Sequence, residues 1–390
     1  MSPTPQDLLE AAIAMRPVLL ERASATREQR QVLTQTMDDL KAAGFFKMIQ
    51  PARHGGFEMN PKHFYNVVFE IARACPSSGW VLSVVGVHGW QLGLLDARAQ
   101  DDVWSSDDSV LISSSYAPKG QVQRENDGYR ISGRWQFSSG SDHCDWIFVG
   151  GMIPPEKEGD APGISSFLIP RQDYRIEDDW YTTGLQGSGS KSLVVENAFV
   201  PAYRVHSFAE GFDGSSPGIA VNTHPIFKLP FGQAFVRAVS MPAVGAAQGA
   251  LDAYCEYNTT RLNSVGMQAK EFPASQAAGA AAQSVISSAR LKMHHAYDTL
   301  LGHVERGEAF PDIERAEFRY DACQAVDECV KAVQQLLANS GGGAIYTGNR
   351  INEVFQDMLA FRQHAANQPD NAAKNVGAVL FGQPNGDAFS

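Results

Sequence analysis

The periodicity of apolar residues changes twice along this chain of 390 residues, and that double change restricts its fold. Residues 5–108 repeat apolar side chains at helical spacing, beginning with Leu8, Leu9 and Ile13. Residues 110–205 consist of short β-type runs separated by turn residues. Helical spacing returns from about residue 241 to residue 380. We therefore expect an α+β protein with an N-terminal helical domain (1–109), a middle β domain (110–206) and a C-terminal helical bundle (207–390).

The middle segment has the pattern of an antiparallel β domain. Asn126-Asp127-Gly128 is a hairpin signal between two of its β-type runs. No helical pattern alternates with these runs, as a βαβ unit would require. The segment therefore predicts a small antiparallel barrel or sandwich. The runs are residues 110–115, 129–137, 146–150, 166–170 and 192–196.

The C-terminal segment contains two long helical patterns, over residues 275–306 and 313–339. In the second, Cys329, Val333 and Leu336 belong to an apolar stripe that recurs every three or four residues. Long amphipathic helices joined by short Gly or Pro breaks are typical of an antiparallel bundle.

Composition excludes several classes of function. Lys and Arg number 32 against 43 Asp and Glu, giving a formal net charge of −11, so general binding to the nucleic-acid backbone is disfavoured. No apolar run approaches the ~18 residues of a membrane span, and the first ten residues lack the features of a signal peptide. The five cysteines are scattered without metal-site spacing. We expect a cytoplasmic protein that binds neither nucleic acid nor membrane.

Several short motifs resemble known binding motifs but lack the sequence context that those motifs require. Residues 184–192 resemble a phosphate-binding loop, but Ser190 separates Gly189 from Lys191 and a strand follows where a helix should begin. No Gly-x-Gly-x-x-Gly lies between a strand and a helix, so an NAD site is unsupported. His294 and His295 are adjacent and point to different sides of a helix, which is poor geometry for a metal. We expect no metal.

Polar clusters in apolar surroundings remain, at residues 113–116, 135–140, 261, 340–343 and 364–367. Taken singly, each is typical of a strand end, a helix stop or a satisfied core residue. In this order, however, they accompany a set of local motifs. These are Val87-His88-Gly-Trp90, Ile112-Ser-Ser-Ser-Tyr-Ala-Pro118, Ser138-Ser-Gly-x-Asp142-His143 and Trp180-Tyr-x-x-Gly184-Leu-x-Gly187-x-Gly189-Ser190.

Together these motifs resemble the acyl-CoA dehydrogenase fold over roughly residues 8–382. Within that fold the chain is most similar to the oxygenase components of two-component flavin monooxygenases, such as the hydroxylases of 4-hydroxyphenylacetate and of a 3-hydroxy-secosteroid. The resemblance implies a central antiparallel β-barrel, a C-terminal four-helix bundle and a flavin bound between them.

The residues themselves distinguish an oxygenase from a dehydrogenase. Acyl-CoA dehydrogenases need a carboxylate to remove the α-proton of a thioester. At the two positions where the family carries that carboxylate, this chain has Ala365 and Leu262. A side chain without an ionisable group cannot abstract a proton, so dehydrogenation is disfavoured. An atypical dehydrogenase or oxidase would need another base, such as Glu353 or Asp357.

The resemblance assigns catalytic roles to four residues. His364 would be the base that activates a phenol, since an imidazole with a pKa near 6.5 suits that task at neutral pH. Asn367 would be its polar neighbour. Ser139 would contact flavin N5, and Ser114 would be a second hydroxyl beside the ring. Ser138 or Ser115 are the alternatives for these two contacts if the register differs by one residue.

The same resemblance assigns the flavin-binding set. Tyr116 and Phe137 would flank the ring, Trp80 would line the substrate side, and Arg261 would meet the flavin phosphate or the ring edge. Gly342 and Gly343 would let a neighbouring subunit approach. The implied set is Trp80, Ser114, Ser115, Tyr116, Phe137, Ser138, Ser139, Arg261, Gly342, Gly343, His364 and Ala365.

The implied reaction uses O₂ and reduced flavin, FMNH₂ or FADH₂, which binds as a diffusible co-substrate. A C4a-hydroperoxide of that flavin would hydroxylate an aromatic substrate, with ortho-hydroxylation of a phenol favoured by His364. The partners would be an NAD(P)H-dependent flavin reductase and three further copies in a homotetramer. An indole or sulfur-heterocycle monooxygenase and a non-catalytic flavin-binding scaffold remain alternatives.

Overall fold

The computed structural model describes residues 2–155, 163–262 and 266–387. Five α-helices form the N-terminal segment. Thr4 begins the first of them, because its hydroxyl accepts from the backbone N–H of Asp7 while the Asp7 carboxylate accepts from the backbone of Thr4. The helices are α1 (Pro5–Glu28), α2 (Thr34–Ala42), α3 (Pro61–Ala74), α4 (Pro76–Leu92) and α5 (Ala97–Trp104).

Helix α4 begins at Pro76, two residues after α3 ends at Ala74. Pro76 occupies its first turn, where proline lacks only a hydrogen bond that helix geometry leaves unmade anyway. Cys75 is extended, so the break between α3 and α4 is a single residue. All but one of the residues of α4 are buried, and the helix runs through the interior of the protein.

In the described part of the chain seven strands follow, and they form one sheet in the order β5-β6-β2-β1-β3-β4-β7. The β1–β2 hairpin turns at the expected Asn126-Asp127-Gly128, with Glu125 paired to Gly128. The strands are β1 (Ile112–Glu125), β2 (Gly128–Ser138), β3 (Trp146–Ile153), β4 (Gly163–Pro170), β5 (Tyr174–Glu177), β6 (Lys191–Pro201) and β7 (Val205–Ser207).

This sheet corrects two expectations about the middle domain. It is open, because the end strands β5 and β7 do not pair with each other in the described part of the chain, so a closed barrel is not formed. It is also mixed, because the first part of β1 pairs in parallel with β3 while its second part pairs antiparallel with β2. The register with β3 shifts between Ser115 and Gly120, and the change of partner from β3 to β2 follows at Gln121. Long β1 thus belongs to both halves of a folded-over sheet.

Among the described residues six α-helices follow the sheet, and five of them, α7 to α11, pack together. The expected four-helix grouping is not confirmed, since α11 also packs on α9. Helix α7 starts ten residues earlier than the expected Met241. The helices are α6 (Phe208–Asp213), α7 (Phe231–Thr260), α8 (Pro273–Arg306), α9 (Asp312–Ala338), α10 (Arg350–Gln363) and α11 (Pro369–Leu380).

One apolar core joins the two helical segments, because α7 packs against α3 and α4 as well as against α9 and α10. A second core fills the interior of the folded sheet around Trp135, Val149 and Phe167. None of the described helices is long and apolar enough to cross a membrane. The domain boundaries at residues 109 and 206 remain predictions.

A glycine-rich loop, residues 184–190, is wedged between α10 and α1 and carries the motif that resembled a phosphate loop. A Cβ atom on Gly184 would lie 2.1 Å from the carbonyl oxygen of Gln356 in α10. A Cβ on Gly187 would lie 2.4 Å from the side chain and 2.8 Å from the carbonyl oxygen of Thr26 in α1. These glycines therefore serve close backbone packing rather than phosphate binding.

We predict that Gly184→Ala destabilises the protein by about 2 kcal/mol or more, because the new methyl group has no room beside a helix backbone. Denaturant unfolding followed by circular dichroism measures the effect. Gly377→Ala in α11 is the matched control: its Cβ meets nothing within 4 Å, so it should stabilise by up to about 1 kcal/mol. Equal effects of the two substitutions would contradict the packing role of the loop.

Candidate functional site

A tryptophan, two serines, a phenylalanine and a histidine meet where α4, the end of β2, the 184–190 loop and the end of α10 come together. The indole Nε1–H of Trp80 donates to Ser139 Oγ at 2.8 Å, and Ser190 Oγ lies 2.6 Å from Ser139 Oγ. The Trp80 ring contacts Phe361 edge-on at 5.5 Å between centroids and His364 at 5.6 Å. We call Trp80, Ser139, Ser190, Phe361 and His364 the central cluster.

His364 follows α10 directly, and its imidazole is held by the turn after that helix. The backbone N–H of Ala366 donates to Nδ1 of His364 at 3.2 Å. Burial, with a smaller contribution from the nearby Arg319 guanidinium, lowers the pKa of His364 to about 4. The imidazole is therefore neutral at physiological pH, although part of the residue remains accessible to water.

The two alternative serines are engaged elsewhere. Ser138 Oγ donates to Ser113 Oγ at 3.1 Å, and Ser115 Oγ donates to the carbonyl of Gln136 at 2.7 Å. Both bonds tie β1 to β2 within the sheet. Of the two serines at the end of β2, Ser139 is thus the one that bonds to a helix side chain, Trp80, and the register of the flavin contacts remains a prediction.

The expected flanking pair, Tyr116 and Phe137, is separated. The Tyr116 hydroxyl donates to Gln91 Oε1, and its ring packs against Phe208, Phe231 and Phe235. The ring of Phe137 is 67% exposed and meets the ring of Trp180 edge-on.

The two flanking residues therefore have no common neighbour among these ring contacts. Ser114 shares the face of β1 on which Tyr116 lies, because strand side chains alternate. Burial raises the pKa of the Tyr116 phenol, and a hydrogen bond with Ser114 offsets part of that rise.

Asn367 lies beside the central cluster and holds the backbone there. Its side-chain amide donates to the carbonyl oxygens of Val239 in α7 and Phe361 in α10, each at 2.9 Å, and the residue is fully buried. It anchors the turn after α10 rather than facing solvent. Ala365, in the same turn, is exposed.

Arg261, Gly342 and Gly343 lie at the far end of the bundle. Arg261 Nε donates to Asn258 Oδ1 at 2.9 Å and Nη2 to the carbonyl of Asn339 at 3.0 Å. Along α7, the residues from Val239, beside the central cluster, to the helix end at Thr260 span about 30 Å at 1.5 Å per residue. Arg261 therefore does not contribute to the central cluster of its own chain.

Sequence reasoning gave no role to Ser190, Ser188 or Arg319. Ser188 Oγ lies 2.8 Å from Ser190 Oγ, and both side chains are buried. Arg319 Nη1 donates to the carbonyl of Ala366 at 2.7 Å, next to His364. The alternation of Ser and Gly in residues 187–190 was the available signal for the serines. Arg319 had none, because its contact joins residues 47 positions apart.

The rival bases, Glu353 and Asp357, have partners outside the central cluster. Glu353 forms a 3.0 Å ion pair with Arg27 of α1. Asp357 Oδ1 accepts from the backbone N–H of Leu185 at 2.6 Å. Burial raises the pKa of Asp357 to about 6. The central cluster itself holds hydroxyl, indole and imidazole groups, and no carboxylate.

In the part of the chain that the structure describes, no group of three or more His, Cys, Asp or Glu side chains could hold a metal ion. The five cysteines are free thiols, and four of them are buried. The polar groups of the central cluster are hydroxyls and nitrogen donors, which suit an organic ligand.

Both helical segments match models of one known protein family. Residues 9–98 match the family model described as the N-terminal domain of acyl-CoA dehydrogenase. Residues 238–369 match the C-terminal domain of the same family. The matches include Trp80 and His364 of the central cluster.

Individual relatives are similar over almost the whole chain. The oxygenase subunit HsaA of a flavin-dependent monooxygenase from Rhodococcus jostii is 39% identical, over 95% of this chain and 97% of the relative. The oxygenase component of an FADH₂-dependent resorcinol hydroxylase from Rhizobium is 30% identical, over 94% and 93%. The crystal structure of 3-HSA hydroxylase from Rhodococcus superimposes with a TM-score of 0.94 at 38% identity, covering 98% of this chain and 99% of that one.

The buried Asp357 carboxyl, which accepts a hydrogen bond from the Leu185 N–H, should make the stability of the protein depend on pH. With its pKa raised to about 6, Asp357 keeps its proton in the folded protein between pH 4 and pH 6, whereas the unfolded chain has lost it. The native state then binds more protons, so stability from this group falls as the pH rises through about 6. Asp357→Asn keeps an acceptor oxygen for Leu185 and removes the buried charge.

We therefore expect Asp357→Asn to raise the free energy of unfolding relative to wild type more at pH 8 than at pH 5, by about 1.4 kcal/mol, since one pH unit lies between pH 5 and the raised pKa. Guanidinium unfolding of both proteins at the two pH values measures the difference. A gain that is the same at both pH values would show that Asp357 does not titrate between them.

Proposed function

The chain belongs to the oxygenase components of flavin-dependent monooxygenases that have the acyl-CoA dehydrogenase fold, and we propose that it hydroxylates a phenol at the ortho position. The observation that carries the proposal is the central cluster, which brings a hydroxyl and a neutral imidazole together without a carboxylate. A dehydrogenase needs a carboxylate there. The phenol is supported by the relatives that act on resorcinol and p-hydroxyphenylacetate.

Reduced flavin is the cofactor, and the residues present fit it. Phe137 offers an exposed aromatic ring beside the end of β2, and Ser139 offers a hydroxyl two residues further on. An isoalloxazine ring can stack on the first and hydrogen-bond with the second. When bound, the reduced flavin activates O₂ for transfer of one oxygen atom to the substrate.

The tautomer of His364 determines how it can act on a phenol. Because Nδ1 accepts from the Ala366 N–H, the proton of the neutral imidazole lies on Nε2. Nε2–H can then donate to the phenol oxygen and stabilise the phenolate, whose proton passes to water. We propose this donor role in place of the base expected from the sequence, since a pKa near 4 makes the imidazole a weak base.

The separation of about 30 Å along α7 supports a site that is shared between subunits of the proposed homotetramer. Arg261, Gly342 and Gly343 cannot reach a flavin ring held at Ser139 of the same chain, so we propose that they contact flavin bound by a neighbouring copy. Ile345 and Tyr346, just beyond these glycines, are 76% and 72% exposed, as expected of side chains that a partner covers.

A separate NAD(P)H-dependent flavin reductase would supply the reduced flavin, since the relatives are oxygenase components and subunits. The aromatic substrate would reach the central cluster past Trp80, whose ring lies against His364. The cytoplasmic location expected from the sequence remains a prediction.

We predict that His364→Gln retains most of the coupling between flavin oxidation and hydroxylation, whereas His364→Ala loses it by about tenfold or more. The glutamine amide can still donate a hydrogen bond, but it cannot act as a base. The measurement is the ratio of hydroxylated phenol to H₂O₂ per reduced flavin consumed. If glutamine is as defective as alanine, His364 acts as a base and the donor role is wrong.

We also predict that Ile345→Glu with Tyr346→Glu yields a species smaller than the wild-type assembly and weakens the binding of reduced flavin. Buried charges in a subunit interface are costly. Light scattering after gel filtration gives the mass, and an anaerobic titration gives the affinity. Leu20→Glu, at an exposed position on α1, is the control. An unchanged mass in the double variant would contradict the shared site.

A further inference from the structure

The 184–190 loop ends in a chain of buried hydroxyl groups that the proposed reaction has not yet used. Ser188 Oγ lies 2.8 Å from Ser190 Oγ, and Ser190 Oγ lies 2.6 Å from Ser139 Oγ. Ser139 Oγ in turn lies 2.8 Å from Nε1 of Trp80. The three serines are between 1% and 7% exposed. The chain therefore runs through the interior and ends at the residue expected to contact flavin N5.

The loop holds this chain at fixed points. The carbonyl of Ser188 accepts from the backbone N–H of Gly140 at 3.0 Å, next to Ser139. At the other end of the loop, Asp357 of α10 accepts from the N–H of Leu185 at 2.6 Å. Leu185 adopts a left-handed φ of 51°, which is uncommon for a non-glycine residue and shows how closely the loop is constrained.

The hydrogen-bonding capacity that Ser139 has left for a ligand depends on Ser190. An indole N–H only donates, so Ser139 uses one lone pair to accept from Trp80. Its hydroxyl has one proton and one lone pair left. If the Ser139 hydroxyl donates its hydrogen bond to Ser190, Ser139 presents its remaining lone pair to a ligand. If Ser190 donates to Ser139 instead, Ser139 presents its hydroxyl hydrogen. The direction of the Ser139–Ser190 hydrogen bond therefore decides whether Ser139 offers a lone pair or a hydrogen to a ligand.

Reduced flavin carries a hydrogen on N5, and oxidised flavin has a bare acceptor nitrogen there. We infer that Ser190 is a positioning residue that accepts a hydrogen bond from the Ser139 hydroxyl, so that Ser139 presents a lone pair to the N5–H of the reduced ring. Ser188 is the next acceptor along the chain. The 184–190 loop thereby favours reduced over oxidised flavin. This inference rests on the proposed function, since it requires flavin at Ser139.

The test compares the dissociation constants of reduced and oxidised FMN and FAD for the full-length protein, by anaerobic titration for the reduced forms. Ser190→Ala should lower the preference for reduced flavin by about 3- to 10-fold, the range of one hydrogen bond. In a Ser139→Ala background, Ser190→Ala should cause no further change, because Ser190 acts through Ser139. Ser190→Thr, which keeps the hydroxyl, should restore the preference.

Ser141→Ala is the matched control, because Ser141 is a fully buried neighbour whose hydroxyl has no partner among the described residues. It should leave the preference unchanged. If Ser190→Ala does not fold, Ser190→Cys replaces it, since a thiol has similar size and is a weak hydrogen-bonding group.

Two outcomes would overturn the inference: an unchanged preference in the Ser190 variant, or an effect that adds fully to that of Ser139→Ala. A wild-type protein that binds neither form of flavin would instead refute the proposed function, which is a separate result. A wild type that binds both forms equally would refute the inference alone.

Discussion

The contact between the 184–190 loop and the backbones of α1 and α10 is the constraint on which the site depends. Gly184 and Gly187 let three distant parts of the chain approach without intervening side chains. The Asp357 carboxyl then fixes the loop through Leu185. With the loop in that place, Ser190 reaches Ser139, and Ser139 reaches the indole of α4. The sheet and both helical segments therefore meet at one hydrogen-bonded point.

Burial at that point determines the chemistry that is available. It keeps His364 neutral by lowering its pKa to about 4, and it leaves the serine hydroxyls to bond with one another. Hydrogen bonds are stronger where water is excluded, and an unpaired polar group there is costly. A site of this kind can orient a phenol and a flavin edge through donors and acceptors. It cannot supply the carboxylate that thioester dehydrogenation requires.

Much of this arrangement could be predicted from local sequence. The order of helical and strand segments and the β1–β2 hairpin follow from short-range patterns, whereas the role of Ser139 was expected only from the family resemblance. The parallel β1–β3 pairing could not be predicted, because it depends on residues far apart in the chain. Nor could the separation of Tyr116 from Phe137: Phe137 has a left-handed φ of 69°, which strand alternation does not anticipate.

The most direct test of the central claim is oxygen transfer from ¹⁸O₂. The protein would be mixed anaerobically with reduced flavin and one of resorcinol, p-hydroxyphenylacetate or the phenolic secosteroid 3-HSA, then exposed to ¹⁸O₂. We predict that at least one of these phenols gains a single labelled oxygen while H₂O₂ release falls below its level without substrate. Stoichiometric H₂O₂ with every phenol, and unlabelled substrate recovered throughout, would contradict the assignment as a phenol hydroxylase.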